Sequence, residues 1–367
     1  MSDEARATGL DPAPDRAQRR RRGRRSPYHR PRHGGDAEGI DIPGRTYAAL
    51  DLGTNNCRLL VARPTREGFR VVDAFSRIIR LGEGITASGR LSEEATVRAV
   101  EALRICRAKM KNRGVTRARL IATEACRSAE NGGAFLERVR DEVGIALEVV
   151  DRETEARLAA TGCTPLIDPQ ASGVILFDIG GGSSELVRLD RPTPTRFGPP
   201  PPEVRGWMSI PAGVVTLAER HGGIDVSRAV FETMVSEISA FVEQFAAQYG
   251  TSTDGLHLLG TSGTVTTIAG VYLELPRYER RYVDGCWLSD KQVSGVTERL
   301  LAMSYDDRVA NPCIGAERAD LVLAGCAILE AIRRAFPCER LRVADRGLRE
   351  GMLVQMMRED KVWGEAP

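Results

Sequence analysis

Apolar and polar positions change period repeatedly along this chain, and each change predicts a new element. From residue 46 the pattern reads strand, hairpin, strand over 46–51, 57–62 and 69–75, short apolar or alternating runs bounded by polar turns. Ser92 before Glu93 and Glu94 predicts the start of a long helix. Its Ala99, Leu103, Cys106 and Met110 fall on one face, and Asn112, Arg113 and Gly114 end it. Strands are expected at 119–123 and 147–150, the second leading into an acid-rich helix start at 151–160. Further strands are expected at 174–178, 184–189, 207–210 and 341–344. Helices are expected from Gly213, at 229–249, near 290–301 and 316–335, and at 346–360, where Leu353, Met356 and Met357 give the last one an apolar face that docks onto a core.

Candidate chemistry sits where strands end. The apolar run at 174–177 reads as a strand buried on both faces, and it stops at Asp178, Gly180, Gly181, Gly182, Ser183 and Glu185. Consecutive glycines leave N–H groups uncovered, so an anion can approach the main chain. Asp178 and Glu185 flank that turn and repel an anion unless a divalent cation lies between them. Mg²⁺ normally binds through one or two carboxylates plus substrate phosphates, so the chemistry indicated is the handling of a phosphorylated compound. The competing account of Asp178 is a turn carboxylate that caps local amides.

The same device occurs at Asp51, Gly53, Thr54, Asn55 and Asn56, whose spacing suits a β-hairpin aimed at a ligand. A third turn, Gly260 through Thr264, repeats the logic without the carboxylate. Two Asp-x-Gly turns far apart point to two related halves facing one cleft. Arg127, just beyond the 119–123 strand, is placed either to meet a ligand in such a cleft or to make a surface salt bridge. Glu153 and Glu155 complement a helix dipole, which would account for them alone, yet their segment leads directly into the Asp178 strand. The stretch at 165–169 marks the crossing between halves.

Composition narrows the setting. A chain of 367 residues has room for two domains, and 42% apolar with 28% charged content fits a soluble globular protein. The net charge is only +2, with the basic excess gathered in 1–45 around the arginine cluster at 19–25. That tail cannot fold alone and serves as a solvated extension or as a weak, charge-driven contact to nucleic acid or polyphosphate. No apolar span approaches the ~20 residues that cross a bilayer, and the start lacks a signal peptide's apolar core. Eight cysteines without a C-x-x-C pair read as reduced core residues, so a cytoplasmic location without membrane contact is expected. Two of the four histidines lie in the tail, which leaves little support for a histidine base.

Taken in order, Leu50-Asp51-Leu52-Gly53-Thr54-Asn55, Glu155-Ala156-Arg157-Leu158, the turn from Asp178 to Glu185, Gly260-Thr261-Ser262-Gly263-Thr264 and Arg346-Gly347-Leu348-Arg349-Glu350-Gly351 resemble the exopolyphosphatase / guanosine pentaphosphate phosphohydrolase family. The likeness runs from about 46 to 358. It implies an α/β, actin-like (sugar kinase and Hsp70-like) two-domain fold with the active site in the interdomain cleft. The first domain would be 46–168 completed by the last helix at 346–360, the second 169–345, in a short form without a C-terminal helical module. Three departures stand out: Thr154 where many members have a further glutamate, Ser262 where glycine is usual, and a long proline-rich loop at 191–203.

The resemblance also implies roles. Glu155 would position and deprotonate water, and Arg127 would meet charge on the transferred group. Asp178 and Glu185 would hold Mg²⁺, with Asp51 behind them or at a second metal ion. Thr54, Asn55, Asn56, Gly180, Gly181, Gly182, Ser183, Gly263 and Thr264 would grip phosphates of polyphosphate or guanosine pentaphosphate. Two other classes stay open: an ATP-dependent small-molecule kinase on the same fold, and a non-catalytic sensor of polyphosphate or alarmone. The sequence allows a homodimer without requiring one.

Overall fold

The computed structural model describes residues 44–191 and 202–363. The arginine cluster at 19–25 and most of the proline-rich loop expected at 191–203 lie outside the described residues. Five strands, β1 (Tyr47–Leu52), β2 (Asn56–Thr65), β3 (Gly68–Ile78), β4 (Arg117–Ala122) and β5 (Glu148–Val149), form one sheet in the order β3-β2-β1-β4-β5. Six more, β6 (Gly173–Ile179), β7 (Ser184–Asp190), β8 (Glu203–Ile210), β9 (Leu256–Thr261), β10 (Trp287–Ser289) and β11 (Arg340–Ala344), form a second in the order β10-β11-β9-β6-β7-β8.

Taken from its far edge, the second sheet repeats the first. In each, the opening strand pairs antiparallel with its hairpin partner on one side and parallel with a later strand on the other. This repeated topology is the actin-like α/β fold. The repeat extends to register, because Asp51 stands opposite Arg58 just as Asp178 stands opposite Glu185. Equivalent positions thus carry opposite charge.

Local forces account for the elements. Tyr47, Ala48, Ala49, Leu50 and Leu52 of β1 are all fully buried, as a central strand covered on both faces requires. The parallel β4 is reached through the helix Glu93–Asn112, where the Ser92 hydroxyl accepts from the Ala95 N–H at 3.2 Å. That cap satisfies one of the helix's orphan donors. All eight cysteines are free and seven of them are buried. Among the described residues no helix is long and apolar enough to cross a membrane.

Two helices fix the position of the site. The helix Leu348–Glu359 packs Met352, Leu353, Met356 and Met357 against Tyr47, Ala49 and Leu60 of the first sheet. The helix Arg152–Cys163 buries Ala156, Ala160 and Cys163 against Val174, Leu176 and Val187 of the second. They meet backbone to backbone: a Cβ added at Gly162 would lie 2.0 Å from the Gly347 carbonyl oxygen, and one at Gly351 2.0 Å from that of Leu158. Only glycine permits so close an approach.

One expected element differs. The helix anticipated at 316–335 starts at Val322, because the chain before it runs through consecutive turns. Ile314 and Gly315 both donate to the Asn311 carbonyl, and Gly315 has a left-handed φ of +75°. The turns leave Glu317 and Arg318 free to border the cleft.

Candidate functional site

A cavity of about 700 Å³ opens between the tips of the two hairpins. Asp51, Gly53, Thr54, Asn55 and Asn56 border it from the first hairpin, Asp178, Gly180, Gly181, Gly182, Ser183 and Glu185 from the second, and Glu155 from the helix beside them. The tips nearly touch. A Cβ at Gly181 would sit 3.0 Å from the Thr54 Cβ, and one at Gly182 2.9 Å from the Thr54 Oγ1 and 3.0 Å from the Glu124 Cγ. A side chain at either place would crowd the Thr54 turn or Glu124.

The carboxylates are held unlike ordinary surface acids. Withdrawal from water pushes Glu155 up to about 7, against the pull of Arg127 and with help from Asp51 and Asp178. Asp178 is pushed up to about 6, chiefly by burial, with Arg58 opposing. Burial and then the charges of Glu155 and Asp178 push Glu185 up to about 8, although its Oε1 accepts from the Ser183 hydroxyl at 2.7 Å and that of Ser209 at 3.1 Å. Asp51 is raised by burial too. Four acids thus share one poorly hydrated cleft and repel one another.

Arg127 departs from expectation. It is absent from the cavity wall, where contact with a transferred group would put it. Its Nη1 donates to Glu155 Oε1 at 2.6 Å and to the Val150 carbonyl, and its Nη2 donates to Glu124, which also accepts from Arg152 Nη2 at 2.8 Å. Two sheltered carboxylates and a carbonyl engage its donors first. Gly263 and Thr264 also stand apart, bordering a side cavity of about 60 Å³ together with Asn55, Asn56, Gly180 and Gly181.

Ser262 occupies a position that favours glycine. Its φ of +79° lies where a side chain is strained, so glycine would be at ease there. The serine in return offers a hydroxyl to Asp178, one of the influences that lower that carboxyl.

Three cavity arginines carry no role in the expectations above. Arg58, Arg318 and Arg349 border the cavity, and none of their guanidinium groups has a hydrogen-bonded or ion-paired partner among the described residues. Arg58 had a signal: Asn56, Arg58 and Leu60 alternate along β2 and all face the cavity. Among the described residues no histidine borders it; His257 is buried, with Leu258 and Asp168 main-chain partners, and His221 pairs with Glu237 at 2.6 Å.

Among the described residues, no three His, Cys, Asp or Glu side chains converge to enclose a metal ion by themselves. Asp51, Asp178 and Glu185 are therefore not a ready-made cage. Mg²⁺ would not need one, because it keeps several waters and completes its shell with substrate phosphates. The side-chain oxygens of Asn55 and Asn56 are buried without a donor, and the water shell of a hydrated cation would supply one.

Comparison with known proteins places these features in a wider set. A family model described as the Ppx/GppA phosphatase family matches residues 60–360. A guanosine-5'-triphosphate,3'-diphosphate pyrophosphatase of Aeromonas salmonicida is 27% identical over 315 residues, covering 85% of this chain and 59% of the relative. The chain thus spans under two thirds of that protein's length. Exopolyphosphatase 2 of Mycobacterium tuberculosis is 26% identical over 331 residues, covering 84% of this chain and 98% of the relative. The crystal structure of the Aquifex aeolicus member of the Ppx/GppA family superposes with a TM-score of 0.70 at 28% identity, over 86% of this chain and 98% of that one.

Proposed function

The chain belongs to the Ppx/GppA phosphatase family, and from that premise we propose that it is a Mg²⁺-dependent hydrolase releasing the terminal phosphate of inorganic polyphosphate, guanosine pentaphosphate or both. One observation carries the reading. Glu155 borders the same cavity as both glycine-bearing hairpin turns and the acids Asp51, Asp178 and Glu185. Phosphoryl transfer asks the protein for an aligned water, fixed phosphates and compensation of spreading charge, with little covalent chemistry.

Glu155 holds the attacking water and takes its proton. A base with a pKa near the working pH is effective, and Glu155 is pushed up to about 7. Arg127, gripped in turn by Glu124, keeps the Glu155 carboxylate oriented. Main-chain amides of the turn from Gly180 to Ser183, with Thr54, Asn55 and Asn56, hold the phosphates. Arg58, Arg318 and Arg349 supply positive charge along the wall, as an anionic chain demands. Asp178 and Glu185, backed by Asp51, would hold Mg²⁺, which when bound neutralises charge on the phosphates. The cysteines, free throughout, suit a reducing cytoplasm.

The metal assignment has a consequence for stability. Carboxyls whose folded-state pKa lies above the ordinary value near 4 stabilise the fold most below that value. They lose that contribution as pH rises through about 6 for Asp178, about 7 for Glu155 and about 8 for Glu185. In EDTA, Tm is therefore expected to fall between pH 6 and pH 8. Mg²⁺ at about 100 times its Kd should restore about 2.7 kcal/mol at pH 8, and less at pH 6 where protons compete. A melting curve insensitive to both pH and Mg²⁺ would contradict the assignment.

Phosphate release with water alone, compared with transfer to a hydroxyl acceptor, tests the reaction class. Release to water supports the hydrolase; transfer would make the protein a kinase, and tight binding without Mg²⁺-stimulated turnover would make it a sensor.

A further inference from the structure

We propose that Arg80 is a positioning residue that clamps the first phosphate turn to the opposite wall of the cleft and so sets the spacing between the two walls. The proposal deepens the functional reading above, and its kinetic test rests on that reading. The segment from Ile79 to Gly84 supports the turn directly. Ile79 and Arg80 donate their N–H groups to the Asn55 carbonyl at 2.9 and 3.1 Å, and Gly82 donates to that of Thr54 at 2.9 Å. Arg98, from the long helix, holds the segment from behind, its Nε donating to the Ile79 carbonyl at 2.8 Å.

The Arg80 side chain then reaches the segment at 317–320. Its guanidinium forks onto Asp320 with contacts of 2.9 and 3.0 Å, and Nη2 also donates to the Glu317 carbonyl at 3.1 Å. Glu317 and Arg318 border the cavity. The Asp320 main chain packs closely on Gly223, where a Cβ would lie 2.0 Å from its carbonyl oxygen.

A second tie runs alongside. The Gly84 N–H donates to Glu219 Oε1 at 2.8 Å, and Glu219 lies on the helix Val214–His221. That helix begins on the other phosphate turn, with Val214 and Val215 donating to the carbonyls of Gly180 and Gly181 at 2.9 Å each. One short segment therefore connects both turns.

The backbone at Arg80 argues for a purpose. Its φ is +45°, a left-handed conformation that suits glycine and costs a side-chain-bearing residue. The contacts made by its side chain offset that cost. Exposed ion pairs generally contribute little, but this one is bidentate and only 30% and 22% exposed, the geometry that fixes orientation.

Arg80→Gly removes the fork while relieving the backbone, so the amide bonds to Thr54 and Asn55 should persist. Asp320→Asn keeps the shape and removes the charge. Each is expected to raise KM for polyphosphate about tenfold with kcat changed less than about threefold, the scale of one charged hydrogen-bonded pair. The double variant should be no worse than either single one, because both remove one interaction. Arg80→Lys should recover part of the loss.

Hydrogen exchange reads the clamp without substrate: in Arg80→Gly, amides of 312–320 should exchange about tenfold faster than in the unaltered protein. Unchanged exchange there overturns the clamp whatever the protein hydrolyses. A KM within twofold of the unaltered protein, or effects that multiply in the double variant, overturns it as well. Should the unaltered protein hydrolyse neither polyphosphate nor guanosine pentaphosphate, the functional reading fails and the exchange result alone decides the clamp.

Discussion

Glu155→Gln should lower kcat by ~10²–10⁴ while leaving substrate binding within a few-fold, the signature of a lost general base. Glutamine keeps the shape of the side chain and its reach to Arg127, but cannot take a proton. The fold should survive. Arg127 retains Glu124 as a carboxylate partner, so no buried guanidinium is left uncompensated. Removing one of four crowded acids also relieves repulsion on Glu185, whose carboxyl Glu155 helps to push up. The variant should therefore melt no lower than the unaltered protein at pH 8. Steady-state kinetics beside a melting curve checks both parts, and unchanged turnover would remove Glu155 from the mechanism.

Gly351→Ala is expected to be among the most damaging small substitutions outside the cavity wall. The added Cβ would lie 2.0 Å from the Leu158 carbonyl oxygen, so the helices Arg152–Cys163 and Leu348–Glu359 must separate. Overpacking of this kind costs ~1–3 kcal/mol, and here the obstacle is main chain that cannot rotate away. Because the first of these helices carries Glu155, activity should fall beyond what the stability loss explains. A displacement of about 1 Å in a catalytic group can cost ~10²-fold.

Gly295→Ala is the control. Nothing lies within 4 Å of a Cβ at that position in the helix Asp290–Ala302, so the change should add ~0.5–1 kcal/mol. Urea denaturation of the two variants, with turnover measured on each, separates a steric effect at the crossing from a general response to a methyl group.

What could be read in advance was what depends on neighbours in the chain. The hairpin turns at Asp51 and Asp178 are local devices, and an apolar strand running into Asp-x-Gly announces them without tertiary information. Ser92 likewise announces its helix through a cap that spans three residues. The helix Gly132–Val143 has no counterpart among the expected elements, although Phe135, Val139 and Val143 recur at helical spacing on its buried face. It starts with two glycines and no side-chain cap, so the usual start signal is missing.

Convergence was hidden. Arg58, Arg318 and Arg349 come together from three distant stretches, and only the fold brings them to one wall. The placement of Arg127 turned on the same limit. Its position after a strand was legible, but the competition for its donors among Glu155, Glu124 and the Val150 carbonyl is decided by helix packing. The turns before Val322 conceal the clamp on Arg80 in the same manner, since an apolar pattern extending back to Ala316 imitates helix.

The central claim is that this cleft aims a glutamate-held water at the outermost phosphorus of a phosphate chain. Hydrolysis of polyphosphate and guanosine pentaphosphate in ¹⁸O-water, with mass analysis of both products, tests it most directly. The account predicts Mg²⁺-dependent release of orthophosphate carrying one heavy oxygen, with none in the shortened chain or nucleotide. Heavy oxygen in the remaining chain, or no release from either compound, would contradict it.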